Sequence, residues 1–410
     1  MPSNKQDQPR RVFMTGTYDV KNFGDLLFPI VARMRMADAG FEIVPVSPTG
    51  ATAAFADAMK CVAARDMLSV ENAAGVVIGG GDIIHAHDMR LIAEYRNAGV
   101  AKSAAASLWL GATLAAAVRD IPIAWNAPGV PHPFPGSRRH LVDAALTAAD
   151  YLSLRDQGSA ELLEPPGDVA LAIAPDSVAD IARLWPLRFL TEAFRTLVAR
   201  KNGEPNAAYA AFHFRDRSLG TMVSEAVAKR IDGFCRANAI RPILIAIGES
   251  LGDGELARAI AANLTVPHML LDDPRSLAEI TAAIACSRLY MGASLHGYIV
   301  SAAYGVPGRL VAKPSYRKFA GFLDHAGRSR DLARNWDEAF AQPPRQYRST
   351  LPDEVLSKLD THWENIIAAL RTPERKRKER HAFLRVWQDA GRPEWVLATP
   401  DGRLPTMIAV

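Results

Sequence analysis

Two rhythms alternate along most of this chain. Short runs of consecutive apolar residues, the pattern of strands buried on both faces, are followed by longer segments in which apolar residues recur every three or four positions, the pattern of helices with one buried side. Arg11-Val-Phe-Met-Thr-Gly16 predicts a first strand, and a polar turn over 17–25 leads into a helix over 26–40 with apolar positions at Leu27, Ile30, Val31 and Met34. Strands are predicted at 41–46, at 74–78 before Gly79-Gly-Gly-Asp82, at 121–125 before a Pro- and Gly-rich loop over 126–136, and at 151–154 before Arg155-Asp156. The second half repeats the pattern: strands at 208–214, 241–247, 268–271 and 289–291 alternate with helices at 223–237, 254–262 and 277–286. Such alternation predicts an α/β fold of two doubly wound, Rossmann-like domains facing each other across a cleft, with ligands at the carboxyl ends of the strands. The domains are expected at 11–180 and 181–325, with 326–410 a helical extension and basic tail.

Composition narrows the function classes. At 410 residues the chain is too long for one ordinary core, in keeping with two domains, and 49% hydrophobic and 22% charged residues are the proportions of a globular protein. A net charge of only +4 argues against a nucleic-acid binder and leaves room for a small anionic substrate. Cys61, Cys235 and Cys286 follow no metal or disulfide spacing and read as reduced, buried thiols. The first ten residues hold no apolar segment of the secretory kind, and the most apolar helical stretch, 104–118, is too short to span a bilayer and is interrupted by Gly111. A cytoplasmic protein is expected.

The candidate chemistry centres on Gly292-Ala-Ser-Leu-His-Gly297, which follows a short strand and opens a helix. Free N–H groups at a helix start favour an anion, and Ser294, His296 and Gly297 would stand there, His296 able to exchange a proton with a bound group. A lone histidine near a cap is more often an ordinary polar residue, so the neighbours matter. Asn22, Gly24 and Asp25 either cap the first helix or face a ligand at the strand ends. Gly79, Gly80 and Gly81, ahead of Asp82, let the backbone approach a ligand or simply turn. Arg155 and Arg215 each stand at a strand end, where a guanidinium fork suits a carboxylate or phosphate. Lys313, Arg317 and Lys318 form a cationic loop that is either a solvated face or part of the anion site. No Gly-x-Gly-x-x-Gly occurs, so a dinucleotide has no support. His85 and His87 with Asp82 and Asp88 lack the spacing of a metal site, and neither a metal nor a cofactor is expected. The run 371–380, with six basic residues and two glutamates, reads as a solvated helix or arm and a candidate for peripheral contact with anionic lipid.

Taken in order, Tyr18-Asp-Val-Lys-Asn-Phe-Gly-Asp25, Gly79-Gly-Gly-Asp82, Ser153-Leu-Arg-Asp156, Asp176-Ser177, Gly292-Ala-Ser-Leu-His296 with Gly305-Val-Pro307, and Tyr316-Arg-Lys318 resemble the signature of the polysaccharide pyruvyl transferases over residues 12–325. The resemblance implies a glycosyltransferase-B-like pair of domains. It also implies transfer of pyruvate from phosphoenolpyruvate, as donor substrate, onto two hydroxyls of a sugar to give a cyclic ketal. The implied acceptor is a sugar of exopolysaccharide assembly, a lipid-linked oligosaccharide or a nucleotide-linked sugar. Many members carry Arg-Leu-His where this chain has Ser294-Leu295-His296, so Arg288, Arg215 or Lys313 would have to supply the charge missing at Ser294. On this reading His296 transfers protons, Arg155 holds the donor's charges and Gly79 to Gly81 line the cleft. Two other functions suit the same architecture: a nucleotide-sugar glycosyltransferase, and a catalytically idle partner in glycan assembly.

Overall fold

The short apolar runs pair as parallel strands buried between helices. The computed structural model describes residues 10–70, 72–248, 252–344 and 349–391. Strands β1 (Arg10–Thr15), β2 (Phe41–Ser47), β3 (Val62–Ala63), β4 (Ala73–Ile78) and β5 (Ile123–Trp125) form a parallel sheet in the order β3-β2-β1-β4-β5. Strands β6 (Leu152–Leu154) and β7 (Leu171–Ile173) pair with each other and join β5 through the bridge between Ala124 and Tyr151. The second sheet contains β8 (Tyr209–His213), β9 (Arg241–Ile245), β10 (Met269–Leu271), β11 (Leu289–Gly292), β12 (Gly308–Val311) and β13 (Leu332–Ala333) in the order β10-β9-β8-β11-β12-β13. In each sheet the order reverses beside the first strand, so each has a switch point at its carboxyl edge, where a ligand crevice forms. The fold is the pair of doubly wound, Rossmann-like domains expected from the alternation, in the glycosyltransferase-B-like arrangement that the resemblance implies.

Backbone groups of the two domains bond to each other and to a carboxylate beside the cleft. Phe23 N–H donates to Ile247 O at 2.9 Å, and Ala56 N–H to Arg275 O at 2.9 Å. Asp57 accepts from Leu277 N–H at 2.7 Å and Ala278 N–H at 2.9 Å, capping a second-domain helix with a first-domain carboxylate. Helix Phe23–Ala37 is apolar on most of its circumference because it packs against both domains. The apolar stretch from 104 is a core helix as expected, with a π-helical segment at Ser107–Gly111. Among the described residues no helix is long and apolar enough to cross a membrane.

The chain beyond 325 adds a strand to the expected helical extension. Strand β13 continues the second sheet past that boundary, because β12 still has an open edge to pair. The helices Asp353–Arg371 and Arg377–Asp389 then return to the first domain: Leu370 lies against Gly75 of β4, and Phe383 and Trp387 enter the first domain's core. Most of the basic run is exposed, as expected of a solvated helix, but its end is anchored and it is not a free arm. Arg380 is fully buried, with Nη1 3.0 Å from Asp150 and Nη2 2.9 Å from Asp120, and Arg377 pairs with the same Asp120. Residues 392–410 lie outside the described residues. Of the cysteines only Cys235 is buried; Cys61 and Cys286 are half-buried. Burial pushes the Cys61 thiol up to about 11 and Cys235 up to about 12, so both stay protonated near neutrality.

Arg380 is the main cation beside the buried Asp150, whose carboxyl burial raises and Ile123 N–H and Arg380 lower. Arg380→Met should cost on the order of 3–5 kcal/mol in denaturant unfolding, since it strands a buried carboxylate. A loss below about 1 kcal/mol would show that the pair contributes little to docking the last helix.

Candidate active site

Each sheet delivers its chemistry where a strand gives way to a helix. In the second domain β11 ends at Gly292, and Ser294 N-caps helix Leu295–Ala303, its Oγ accepting from Gly297 N–H at 3.3 Å. His296 falls in the first turn of that helix and reaches across to the first domain. Its ring lies over Gly24, where any Cβ would overlap it, and meets the Phe28 ring edge-on at 5.4 Å and 85°. His296 Nε2 stands 3.4 Å from Asp176 Oδ2, an ion-pair contact too poorly aligned for a strong hydrogen bond. Burial alone would raise the Asp176 carboxyl, but His296, Arg155 and the Val178 N–H together hold it below the usual carboxylate range. The Asp176 carboxylate favours the tautomer with the proton on Nε2. Nε2 is closed to solvent, which leaves Nδ1 as the ring nitrogen that can take a proton from the cavity.

The first domain supplies a cluster of charges. Gly81 adopts a φ of +92°, a conformation that favours glycine, and turns the chain so that Asp82 faces the cleft. Asp82 binds the Arg155 guanidinium through Oδ1 and Lys318 Nζ through Oδ2 at 2.8 Å. Burial pushes the Asp82 carboxyl up, and the two cations outweigh it to leave the group well below its ordinary range. Arg155, 6% exposed, also stands 3.5 Å from Asp156, the carboxylate that N-caps helix Gln157–Leu163. Asp25 takes hydrogen bonds on a single oxygen, from Thr17 Oγ1 at 2.6 Å and Asn22 Nδ2 at 2.7 Å.

These groups line one cavity of about 180 Å³ between the domains. Of the residues singled out in the sequence, Asn22, Asp25, Gly81, Asp82, Arg155, Arg215, Ser294, His296 and Lys318 border it. Gly24, Gly79, Gly80 and Gly297 do not. Gly24 seats the histidine, while Gly79, Gly80 and Gly297 make room for Tyr18, Phe28 and Tyr290. Lys313 lies against Gly220, outside the cavity, and Arg288 enters β11 at the end opposite the cavity. Of the three cations that could stand in for the arginine missing at Ser294, Arg215 is therefore the one that borders the cavity. Its Nε is buried without a partner. His85, His87 and His132 gather near Asp82, His87 and His132 with ring centroids 4.7 Å apart, but no three potential metal ligands converge among the described residues. Burial and the neighbouring His87 push His85 down to about 4.

The sequence model of the polysaccharide pyruvyl transferases matches residues 22–312. The chain belongs to the polysaccharide pyruvyl transferase family. No curated protein sequence matches it. Among solved structures it is similar to the UDP-GlcNAc 2-epimerase of Neisseria meningitidis bound to UDP-GlcNAc, at 10% identity over 93% of this chain and 100% of that one, with a TM-score of 0.46. The S. aureus MnaA–UDP structure aligns at 9% identity over 96% and 92%, TM-score 0.48. The trehalose 6-phosphate synthase of Burkholderia multivorans aligns at 13% over 94% and 99%, TM-score 0.42. In this member of the pyruvyl transferases the cavity also takes Lys318 and Phe319 from beyond the matched region.

In the sequence Asp176 stood out only as part of the Asp176-Ser177 element of the family signature. Its pairing with a residue far along the chain has no local signal. Thr17, Val20, Ile83, Met89, Ile92, Leu295 and Phe319 complete the wall without having stood out.

Two outcomes follow for this pyruvyl transferase. In Gly24→Ala the new methyl must displace the His296 ring, at a cost of about 1–3 kcal/mol; a crystal structure of the variant with the ring still facing Asp176 would contradict this. Asp82, depressed below its unfolded value of about 3.9, contributes stability that is present above that pH and is lost as the pH falls through its lower folded value. Wild type should therefore exceed Asp82→Asn in stability at neutral pH, and the gap should shrink on acidification. A gap that stays constant between neutral and strongly acidic pH in urea unfolding would refute the assignment.

Proposed function

We propose that this family member transfers pyruvate from phosphoenolpyruvate to two hydroxyls of a sugar in a polysaccharide precursor, forming a cyclic ketal and releasing phosphate. The observation that carries the reading is the His296 ring, backed on Nε2 by Asp176 and open on Nδ1, in a cavity that also holds Arg155, Lys318 and Arg215. Phosphoenolpyruvate brings a carboxylate and a phosphate, and fixed cations near a helix start suit both. Arg215, without a carboxylate partner in reach among the described residues, is the cation most available to the donor. Arg155 and Lys318 are shared with Asp82, so an incoming phosphate competes with that carboxylate for them.

The proton balance gives His296 its task. The first sugar hydroxyl loses a proton as its oxygen bonds to the enol carbon, and the adjacent methylene gains a proton to become a methyl group. The C–O bond to phosphate then breaks, and the second hydroxyl closes on the same carbon, its proton leaving with phosphate. One basic group that accepts from a hydroxyl and donates to carbon serves the first step, and Nδ1 of His296 can do both. The acceptor is a sugar carried on a lipid or on a nucleotide.

Calorimetric binding of phosphoenolpyruvate, set against nucleotides and nucleotide sugars, tests the donor. Phosphoenolpyruvate alone should bind, Arg215→Ala should weaken it tenfold or more, and His296→Ala should keep binding while turnover falls by about 10²–10⁴. Selective binding of a nucleotide sugar would replace this reading with glycosyl transfer. Full turnover in a folded His296→Ala protein would remove the histidine from the mechanism.

A further inference from the structure

We propose that His362 and Trp363, on a helix beyond the region the family model matches, are positioning residues of the active site: they fix the turn that carries Asp176 and thereby orient the His296 ring. The inference rests on reading His296 as the proton-transferring group.

Asp176 N-caps the short turn Ser177–Asp180, where the chain leaves the first domain, and its Oδ1 accepts from Val178 N–H at 3.0 Å. A single turn of this kind has weak hydrogen bonds of its own and is held by what surrounds it. Helix Asp353–Arg371 holds it at both ends. At one end, Trp363 Nε1–H donates to Asp180 Oδ2 at 3.1 Å. At the other, a buried chain of side chains runs from the helix to Ser177, the residue next to Asp176. Asn126 Nδ2–H donates to Ser177 Oγ at 3.0 Å, so the Asn126 carbonyl oxygen faces His362 Nε2, 3.0 Å away, and must accept from it. That places the His362 proton on Nε2 and leaves Nδ1 to accept from the Tyr151 hydroxyl at 2.9 Å. Every donor and acceptor in the chain is then matched in one direction. Burial, with Arg35 nearby, pushes His362 down to about 3, so it stays neutral and keeps this pattern through the working pH range.

The burial separates this arrangement from surface chemistry. Asn126 and Ser177 are 0% exposed and His362 is 1% exposed. A polar chain this deep contributes little net stability over apolar packing, but it allows only one placement of its members. The placement it fixes is that of Ser177, and hence of Asp176, whose Oδ2 is the partner of His296 Nε2. The outer face of the same helix also reaches this region through Asp360, which pairs with Arg35 at 2.6 Å and Arg183. Both arginines also reach Asp180, Arg35 Nε at 3.5 Å and Arg183 Nη1 at 3.1 Å, so this outer network bears on the same turn as Trp363, whereas Glu364 is an exposed position of the same helix.

The experiment uses the full chain labelled with ¹⁵N-histidine, read at a pH well above the ordinary histidine range, with the His296 signals identified as those lost in His296→Ala. Wild type should show one fixed neutral tautomer, its proton on Nε2 and two widely separated ring-nitrogen shifts. In His362→Phe and Trp363→Phe those shifts should draw together as the tautomers average. His362→Gln, which keeps an N–H donor near the Nε2 position, should restore the separation, and Glu364→Gln, at an exposed position of the same helix, should leave it intact. Should His362→Phe fail to fold, Ser177→Ala cuts the chain at its other end and is read in the same way. A fixed His296 tautomer in folded His362→Phe or Ser177→Ala overturns the proposal, as does equal averaging in Glu364→Gln, which would mean general loosening of the helix. Full turnover in His296→Ala would remove the underlying reading, a result that does not depend on the spectra.

Discussion

Asp176 is 3% exposed, and a carboxylate so placed must find compensation or give up its charge. It finds it from three directions: the Val178 N–H within its own turn, the Arg155 guanidinium of the first domain, and the imidazole of His296 from the second. This one group therefore makes the two domains depend on each other chemically. Remove the second domain's helix start and Asp176 loses its nearest partner; shift the first domain and His296 loses its seat over Gly24. The pairing of His296 with Asp176 is assembled by the interface and belongs to neither half alone.

The remaining charges follow the same logic of mutual neutralisation. Arg155, Lys318, Asp82 and Asp156 form a connected set in which each cation has a carboxylate and each carboxylate has a donor. Such a set is stable without ligand, which is why a cleft rich in arginine need not repel itself. It is also poised for an anion, because Asp82 is the most exposed member, at 30%, and is the one a phosphate can displace. Arg215 stands outside this set, so ligand charge can reach it without breaking an existing pair.

Much of this could be read from the sequence because it is local. The alternating rhythms specify strands and helices, and a glycine or a charged residue at a strand's end is placed at the carboxyl edge of the sheet whatever the rest of the chain does. Hence Gly81, Asp82, Arg155, Arg215, Ser294 and His296 were found together. What was misjudged is what depends on the third dimension. Gly79 and Gly80 share a motif with Gly81 but meet Tyr18 and Phe28 rather than the cavity, since the chain turns toward the cleft only at Gly81, with its φ of +92°. Lys313 sits a few residues from Lys318 yet points toward Gly220. The basic run near the end is mostly exposed, as a solvated helix would be, but the anchoring of Arg380 and Arg377 had no local signal because their acids, Asp120 and Asp150, are distant in sequence.

The last helices show why a family signature can end before the working site does. The matched region closes at residue 312, but a doubly wound second domain leaves its chain at the edge of its own sheet, and the following helices cross back to cover the first sheet at β4 and β5. Covering that sheet satisfies its apolar face, and many apolar sequences would do so equally well, so little of the segment is constrained by packing type. The positions that differ are those where the helix meets polar groups it cannot avoid: Asn126 at the end of β5, and Asp180 after the crossing. A side chain there must donate a hydrogen bond in the right direction or leave a buried acceptor unmatched. His362 and Trp363 both donate, and the residues that receive are attached to the turn of Asp176. Two adjacent buried positions thus join the end of the chain to the turn of Asp176.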